Sequence, residues 1–268
     1  MNILILGDVV GSSGRKALEY NLKNIVKSEK ISFIIVNGEN SADDGKGITS
    51  EVANFFFKNE VDVITSGNHI WDKSETIELI SKEKRLLRPE NLAKGSPGNG
   101  YGIYLSKEKK FKIAVINLMG NVFMRKTENA FTVAESIQKK IKLKEDADFI
   151  IVDFHGEITS EKMAMGHFFD GKATCLVGTH THVPTADSRI LSNGTAYQTD
   201  IGMCGDYNSV IGMNKENSLK KFLNDKKAIN HFPAEGEGTI SGIIVQANEK
   251  TGLANSVKRI ITGGVFRS

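Results

Sequence analysis

The chain predicts an α/β fold, and three observations carry that reading. Apolar, β-branched runs of strand length recur along the 268 residues, with helix-like patterns between them. Several of those runs end abruptly in polar side chains of the types that bind metals. A composition of 40% hydrophobic residues with only four prolines suits one large α/β domain or two small ones.

Taken in order, NILILGDVV (2–10) reads as the opening strand, and Leu18, Leu22, Ile25 and Val26 then recur at helical spacing. SFIIVNGEN (32–40) is the second strand, after which Thr49 can cap a helix carrying Val52, Phe55 and Phe56. VDVITSGN (61–68) is the third. RPENLAKGSPGNGYG (88–102) is rich in glycine and reads as a long surface loop. FKIAVINL (111–118), ADFIIVDFH (147–155) and ATCLVGTHTH (173–182) are further strands, followed by TAYQTDIG (195–202) and TISGIIVQA (239–247). Beyond residue 190 the turns SNGT and NEKTG replace helices, except around Ser218–Leu223, which predicts a second, more antiparallel sheet. Residues 204–235 are expected to fold over the site as a flap.

Several function classes are disfavoured. MNILILGDVV passes from apolar residues straight to Asp and Gly without a basic leader, and no run of 18 apolar residues occurs, so a soluble cytoplasmic protein without membrane contact is expected. A net charge of +3 is too small and dispersed for an extended nucleic-acid groove; KEKK (107–110) and KKIKLKED (139–146) read as solvated faces. Cys175, inside ATCLVG, is expected to be buried and Cys204 partly open, both reduced. GDVVGSSG lacks the GK[ST] of a P-loop and the GxGxxG pattern, and no GxSxG elbow is present.

The informative positions are the strand ends. The successive runs end in Asp8, in Glu39 and Asn40, in Asn68 and His69, in His155, and in His180 and His182. Open α/β sheets bind ligands beyond the carboxyl ends of their strands, so five strands deliver metal-capable side chains to one edge. In a continuing strand His180 and His182 share a face and can address one metal or a pair. Imidazole, carboxylate and amide donors without thiolate suit Mn, Fe, Co or Zn. Seven candidate ligands exceed one tetrahedral site, and two ions sharing a bridging carboxylate are the natural count.

These residues carry a resemblance. GD (7–8), GEN (38–40), GNH (67–69), His155 and GTHTH (178–182) resemble the ordered blocks of the calcineurin-like metallophosphoesterases. More narrowly, ILGDVVGSSGR, VNGENSADDGKGIT, GNHIWDK, LRPEN, DFHGEITSEK, VGTHTHVPTAD and TDIGMCGDY resemble the bacterial YmdB branch, whose members act as 2',3'-cyclic-nucleotide phosphodiesterases. The resemblance runs over nearly the whole chain and implies a single domain over 1–268, built as a four-layer α/β/β/α sandwich of mixed sheets with the site at the strand ends. It departs from the wider superfamily in two places: Val10 stands where a DxH block has histidine, and Glu39 where the bridging residue is usually Asp.

The resemblance to the YmdB branch implies one ion on Asp8, Glu39, Asn40 and His182, and a second on Glu39, Asn68, His155 and His180. It implies hydrolysis by water activated between the two ions, with iron as the native metal and manganese as substitute. His69 is implied to contact the phosphate and protonate the leaving oxygen, a step that contributes about 10²–10⁴-fold. Asp72 has two readings, an orienter of His69 or the N-cap of a helix in KSETIELI. Arg88 reads as a surface arginine or a phosphate donor, His167 as packing, His231 as a flap residue, and Trp71 as core or a base-stacking ring. The implied partner is a small cyclic nucleotide; a homo-oligomer is compatible. A broader phosphatase or nuclease with the same metals, or a metal-stabilised regulatory protein with little turnover, are the rivals. His69 beside the ligand set favours an enzyme.

Overall fold

A computed structural model describes residues 1–266. The chain begins with β1 (Asn2–Val9), α1 (Gly11–Ser28), β2 (Ile31–Asn37), α2 (Ser50–Lys58), β3 (Val63–Thr65) and α3 (Thr76–Lys82). Next come β4 (Tyr101–Leu105), β5 (Lys112–Met119), α4 (Ala130–Lys140), β6 (Phe149–His155), α5 (Thr159–Phe169) and β7 (Cys175–Thr179). The rest is β8 (Arg189–Ile190), β9 (Ala196–Gln198), β10 (Met203–Cys204), α6 (Lys215–Phe222), β11 (Thr239–Ala247) and β12 (Ala254–Gly263).

Two six-stranded mixed sheets result. One has the order β12-β11-β1-β2-β3, with β10 pairing the end of β1; the other runs β4-β5-β6-β7-β9-β8. Period-two alternation decides which core each side chain joins. Ile3, Ile5, Phe33 and Ile35 point between the sheets to meet Ile113, Val115, Phe149 and Ile151. Leu4, Leu6, Ile34 and Val36 point outward, where Leu18, Leu22 and Ile25 of α1 and Phe56 of α2 cover them. On the far side Ile116, Leu118, Val152 and Phe154 pack under Ala134 and Ile137 of α4 and Met165 and Phe169 of α5. Helix, sheet, sheet and helix make the four layers, as expected. Thr49 caps α2, accepting from the Val52 amide at 3.2 Å.

The parallel strands β1, β2 and β3 end in register, Asp8 beside Asn37 and Asn37 beside Thr65. In the other sheet Met119 pairs His155, and His155 pairs Thr179. Both sheets therefore stop at one common edge.

The late strands correct the expectation of a separate antiparallel sheet. β11 inserts antiparallel beside β1, from Asn2 against Gln246 to Leu6 against Gly242, and β12 follows it, while β9 lies parallel to β7. Pairing with a distant strand buries both faces of β11, which a turn-linked local sheet would leave open. The two-residue β10 pairs Val9 with Cys204, so that thiol is buried rather than partly open. Cys175 is buried as expected. Arg88 is buried instead of lying on the surface: its guanidinium donates to the carbonyls of Pro89, Glu90, Ser96 and Pro97, while the rest of the 88–102 segment is a loop, partly or fully exposed over 92–99, as far as the start of β4. His167 is exposed instead of packed, because α5 turns Met165 and Phe169 inward. Trp71 packs against the outer core beside α2. No helix among the described residues is long and apolar enough to cross a membrane.

Candidate active site

The common edge brings the seven candidate metal ligands together, with His69 at their rim. His155 Nε2 lies 2.9 Å from Glu39 Oε1, 3.1 Å from Asn68 Oδ1 and 3.0 Å from His180 Nδ1. Beside this group His182 Nε2 lies 3.3 Å from Asn40 Oδ1 and 3.9 Å from Asp8 Oδ1. Asp8 joins the two clusters, with Oδ1 3.8 Å from His155 Nδ1 and Oδ2 accepting from the His180 amide at 3.1 Å.

The donors fit a metal on two counts. One imidazole nitrogen carries at most one proton, so His155 Nε2 cannot satisfy a carboxylate, an amide oxygen and a second imidazole together; a cation held among them can. Asp8 Oδ1 is buried without a hydrogen-bond partner, which a folded chain rarely tolerates unless the atom has another role. Glu39, His155 and His180 together offer ligand atoms within 4.8 Å of one another.

Outer partners aim these groups. Thr179 Oγ1 meets His155 Nδ1 at 2.9 Å, Glu157 Oε2 meets His180 Nε2 at 3.1 Å, and the Ile211 carbonyl meets His182 Nδ1 at 2.8 Å. Each ring then turns its other nitrogen inward, the usual arrangement for ligating histidines. Asn40 donates its amide to Gly45 O at 2.9 Å, which leaves Oδ1 facing His182. His180 and His182 both have positive φ, 100° and 65°, so the GTHTH segment is not a continuing strand and its two rings diverge.

Burial and charge act against one another here. Burial pushes the Asp8 carboxyl up to about 6, although His182 and His155 pull it down. Burial opposes the Glu39 charge, but the His155 ring, by charge and hydrogen bond, together with His69, outweighs it and holds Glu39 at about 2. Burial also opposes the His155 charge, and Glu39 and Asp8 overcome it to bring that ring to about 9. His180 falls to about 3 through burial and the neighbouring His155. A site crowded with carboxylates and imidazoles in this way is poised for a cation.

His69 is half-buried at the rim. Its amide donates to Glu39 Oε2 at 3.1 Å, and its Nδ1 lies 2.7 Å from Asp72 Oδ2. Since α3 starts at Thr76 with Glu75 preceding it, Asp72 is not that helix's N-cap, and its carboxylate meets His69 instead.

Four supporting residues escaped the sequence reading: Asp153, Glu157, Lys162 and Asp200. Asp153 is buried within β6 and accepts from Asn37 Nδ2, Thr65 Oγ1 and Thr179 Oγ1, tying the two sheets together beneath the site. Its signal was available as an acid inside FIIVDF, since a charge in a fully apolar strand demands partners. The others needed tertiary contacts to be seen. A cavity of about 440 Å³ opens above the cluster, lined by Glu39, His69, His180 and His182 together with Ile211, Met213 and Phe222. His231 also faces it, whereas Arg88 does not.

The family model of the YmdB-like proteins matches residues 4–260. The chain belongs to the YmdB-like family. Among its relatives is the 2',3'-cyclic-nucleotide 2'-phosphodiesterase of Bacillus subtilis, 40% identical over 97% of each chain. A phosphatase/phosphodiesterase of Mycoplasma pneumoniae is 38% identical over 97% of this chain and 93% of its own. A crystal structure of a phosphatase from Mycoplasma pneumoniae superimposes with a TM-score of 0.90 at 35% identity, covering 98% of this chain and 93% of that one. In this YmdB-like chain Asn40 stands beside His182.

Proposed function

We propose that the chain is a dinuclear metal-dependent phosphodiesterase that hydrolyses 2',3'-cyclic nucleotides. Hydrolysis of a phosphoester is supported by the named relatives at 36–40% identity. The observation that carries the metal-dependent mechanism is the convergence of Glu39, Asn68 and His180 on His155 Nε2, beside the orphaned Asp8 Oδ1; the choice of a 2',3'-cyclic substrate follows the Bacillus subtilis relative. Asp8, Glu39, Asn40 and His182 would hold one ion, and Glu39, Asn68, His155 and His180 the other, with Glu39 shared. The mixed nitrogen and oxygen set is compatible with iron, and with manganese as substitute. Such ions, when bound, acidify water and offset negative charge on phosphoryl oxygens.

The chain's own residues do the rest. Asp72 accepts from His69 Nδ1 and fixes the ring at the rim, leaving Nε2 for the substrate. A proton on that Nε2 passes to the leaving ribose oxygen, which as an alkoxide is a poor leaving group without it. Asp153 and Thr179 keep β6 and β7 from sliding, so His155 stays under the reacting phosphate.

The test is to purify the protein with its metal retained, count metals per chain, and assay 2',3'-cyclic AMP, 3',5'-cyclic AMP and an aryl phosphodiester with wild type and His69→Ala. About two ions, a preference for the 2',3' compound and a loss of at least 100-fold in His69→Ala are expected. Undiminished hydrolysis by His69→Ala overturns the mechanism; preference for 3',5'-cyclic AMP overturns the substrate.

A further inference from the structure

Part of the wall of the cavity above the cluster is apolar. Ile211, Met213 and Phe222 supply it, with Ser218 and His231 from the same stretch of chain also lining the cavity, while a phosphodiester needs only polar partners. Phe222 is 78% exposed and Ile211 51%, large apolar surfaces kept in water beside a polar site. Side chains left so at a cavity mouth are available to a ligand.

The wall is built rather than loose. Val210 and Met213 exchange backbone hydrogen bonds of 3.0 Å in both directions, closing a tight turn. Ile211 sits in that turn at φ 49°, an outlier for a β-branched residue, and its carbonyl meets His182 Nδ1. Met213 bridges to Pro233, and Asn214 caps α6 by accepting from the Asn217 amide at 2.9 Å. Asn217 in turn exchanges hydrogen bonds with Ile229. Phe222 therefore stands at the end of a helix anchored at its start, and Ile211 is pinned to the catalytic floor itself.

Resting on the phosphodiesterase reading above, we infer that Phe222, with Ile211 and Met213, forms the nucleobase subsite of this cavity. Phe222 and His69 line the same 440 Å³ cavity, so a base stacked on Phe222 and a phosphate beside His69 would share one enclosure. Stacking on an aromatic face tolerates every base because each has a π-face, so purines and pyrimidines are both accepted.

The experiment compares 2',3'-cyclic AMP with ribose 2',3'-cyclic phosphate, which has the reacting group and no base, in wild type, Phe222→Ala and Phe222→Tyr. In Phe222→Ala the ratio of kcat/KM for the nucleotide to that for the baseless ester falls about tenfold to a hundredfold, chiefly through KM, and Phe222→Tyr restores it. Leu219→Ala, which changes an exposed residue of the same helix outside the cavity lining, leaves the ratio as it was. Both substrates falling together, or neither, overturns the subsite. If wild type hydrolyses neither cyclic ester, the phosphodiesterase reading fails, and the subsite is then judged by equilibrium binding of AMP: weaker binding to Phe222→Ala supports it, equal binding overturns it.

Discussion

Lys162 Nζ lies 2.7 Å from Asp200 Oδ2, with both side chains out of reach of water. The same carboxylate oxygen accepts from the Thr181 amide at 3.1 Å and its hydroxyl at 2.7 Å, and Oδ1 accepts from the Gly202 amide at 2.8 Å. One carboxylate thus ties α5 to the residue between His180 and His182 and to the turn before β10. Non-glycine residues at positive φ cost on the order of 1–3 kcal/mol each, and the two histidines on either side of Thr181 are both of that kind. Asp200 holds them there.

Breaking that pair should therefore cost more than removing it. Lys162→Met leaves a buried carboxylate without its counter-charge, a change worth about 3–5 kcal/mol of stability. Lys162→Met combined with Asp200→Asn removes both charges and should recover a large part of the loss. Urea unfolding of the two variants checks this; a single variant as stable as the double one would show that the pair carries no such penalty.

Asp72 should reveal itself through the leaving group. Asp72→Ala frees His69 Nδ1 and loosens the ring proposed above as the acid for the departing oxygen. Loss of such an orienting partner lowers turnover about 10–100-fold. The fall should be large for 2',3'-cyclic AMP, whose leaving group needs the proton, and small for an aryl ester, whose leaving group does not. A drop of the same size for both substrates would place Asp72 in general structural support.

The site was legible in the sequence where chemistry interrupts a pattern. A strand that runs apolar and stops at Asp8, Glu39 or His155 declares both its direction and its edge, and parallel pairing gathers such ends without further information. What stayed hidden depends on pairing across long separations. Lys162 and Asp200 are each unremarkable in a helix and a turn, and only the approach of α5 to the GTHTH segment makes them partners. The apolar alternation of TISGIIVQA identifies a strand yet says nothing of its neighbour, so its place beside β1 was missed. The burial of Arg88 is equally hidden in the sequence, because the carbonyls that satisfy it come from a curl of its own loop.

Asp62, at the opposite end of β3 from the site, gives a pH signature. Burial pushes its carboxyl from 3.8 up to about 6, partly offset by the Ile34 amide, which donates to it at 2.8 Å, and by Lys107. Between those values the folded chain keeps a proton that the unfolded chain has lost, so this group makes stability fall as pH rises from about 4 to about 6. Asp62→Asn keeps an acceptor for Ile34 and removes the charge. It should be more stable than wild type by on the order of 1–2 kcal/mol above pH 6, allowing for partial solvent screening, with the gain vanishing below about pH 4. Thermal unfolding at pH 4 and pH 8 decides; an equal difference at both values would rule out the protonation account.

Gly67 is required by space. It precedes Asn68, and a Cβ built on it would run into the His155 ring and Glu39 Oε2, two groups assigned to the metal cluster and themselves buried. Neither can step aside cheaply: His155 is held by Thr179 on its other nitrogen, and Glu39 receives the His69 amide. Gly67→Ala should therefore push the cluster apart while leaving the sheets intact, since the added methyl group meets no core side chain among its nearest contacts. The overpacking itself costs about 1–3 kcal/mol. Metal content should drop below that of wild type and hydrolysis by at least 100-fold, with an unchanged far-UV circular dichroism spectrum. A variant that retains both its metal and its rate would mean that the segment between β3 and α3 can withdraw, and that the close approach of Gly67 to His155 is not a condition of the site.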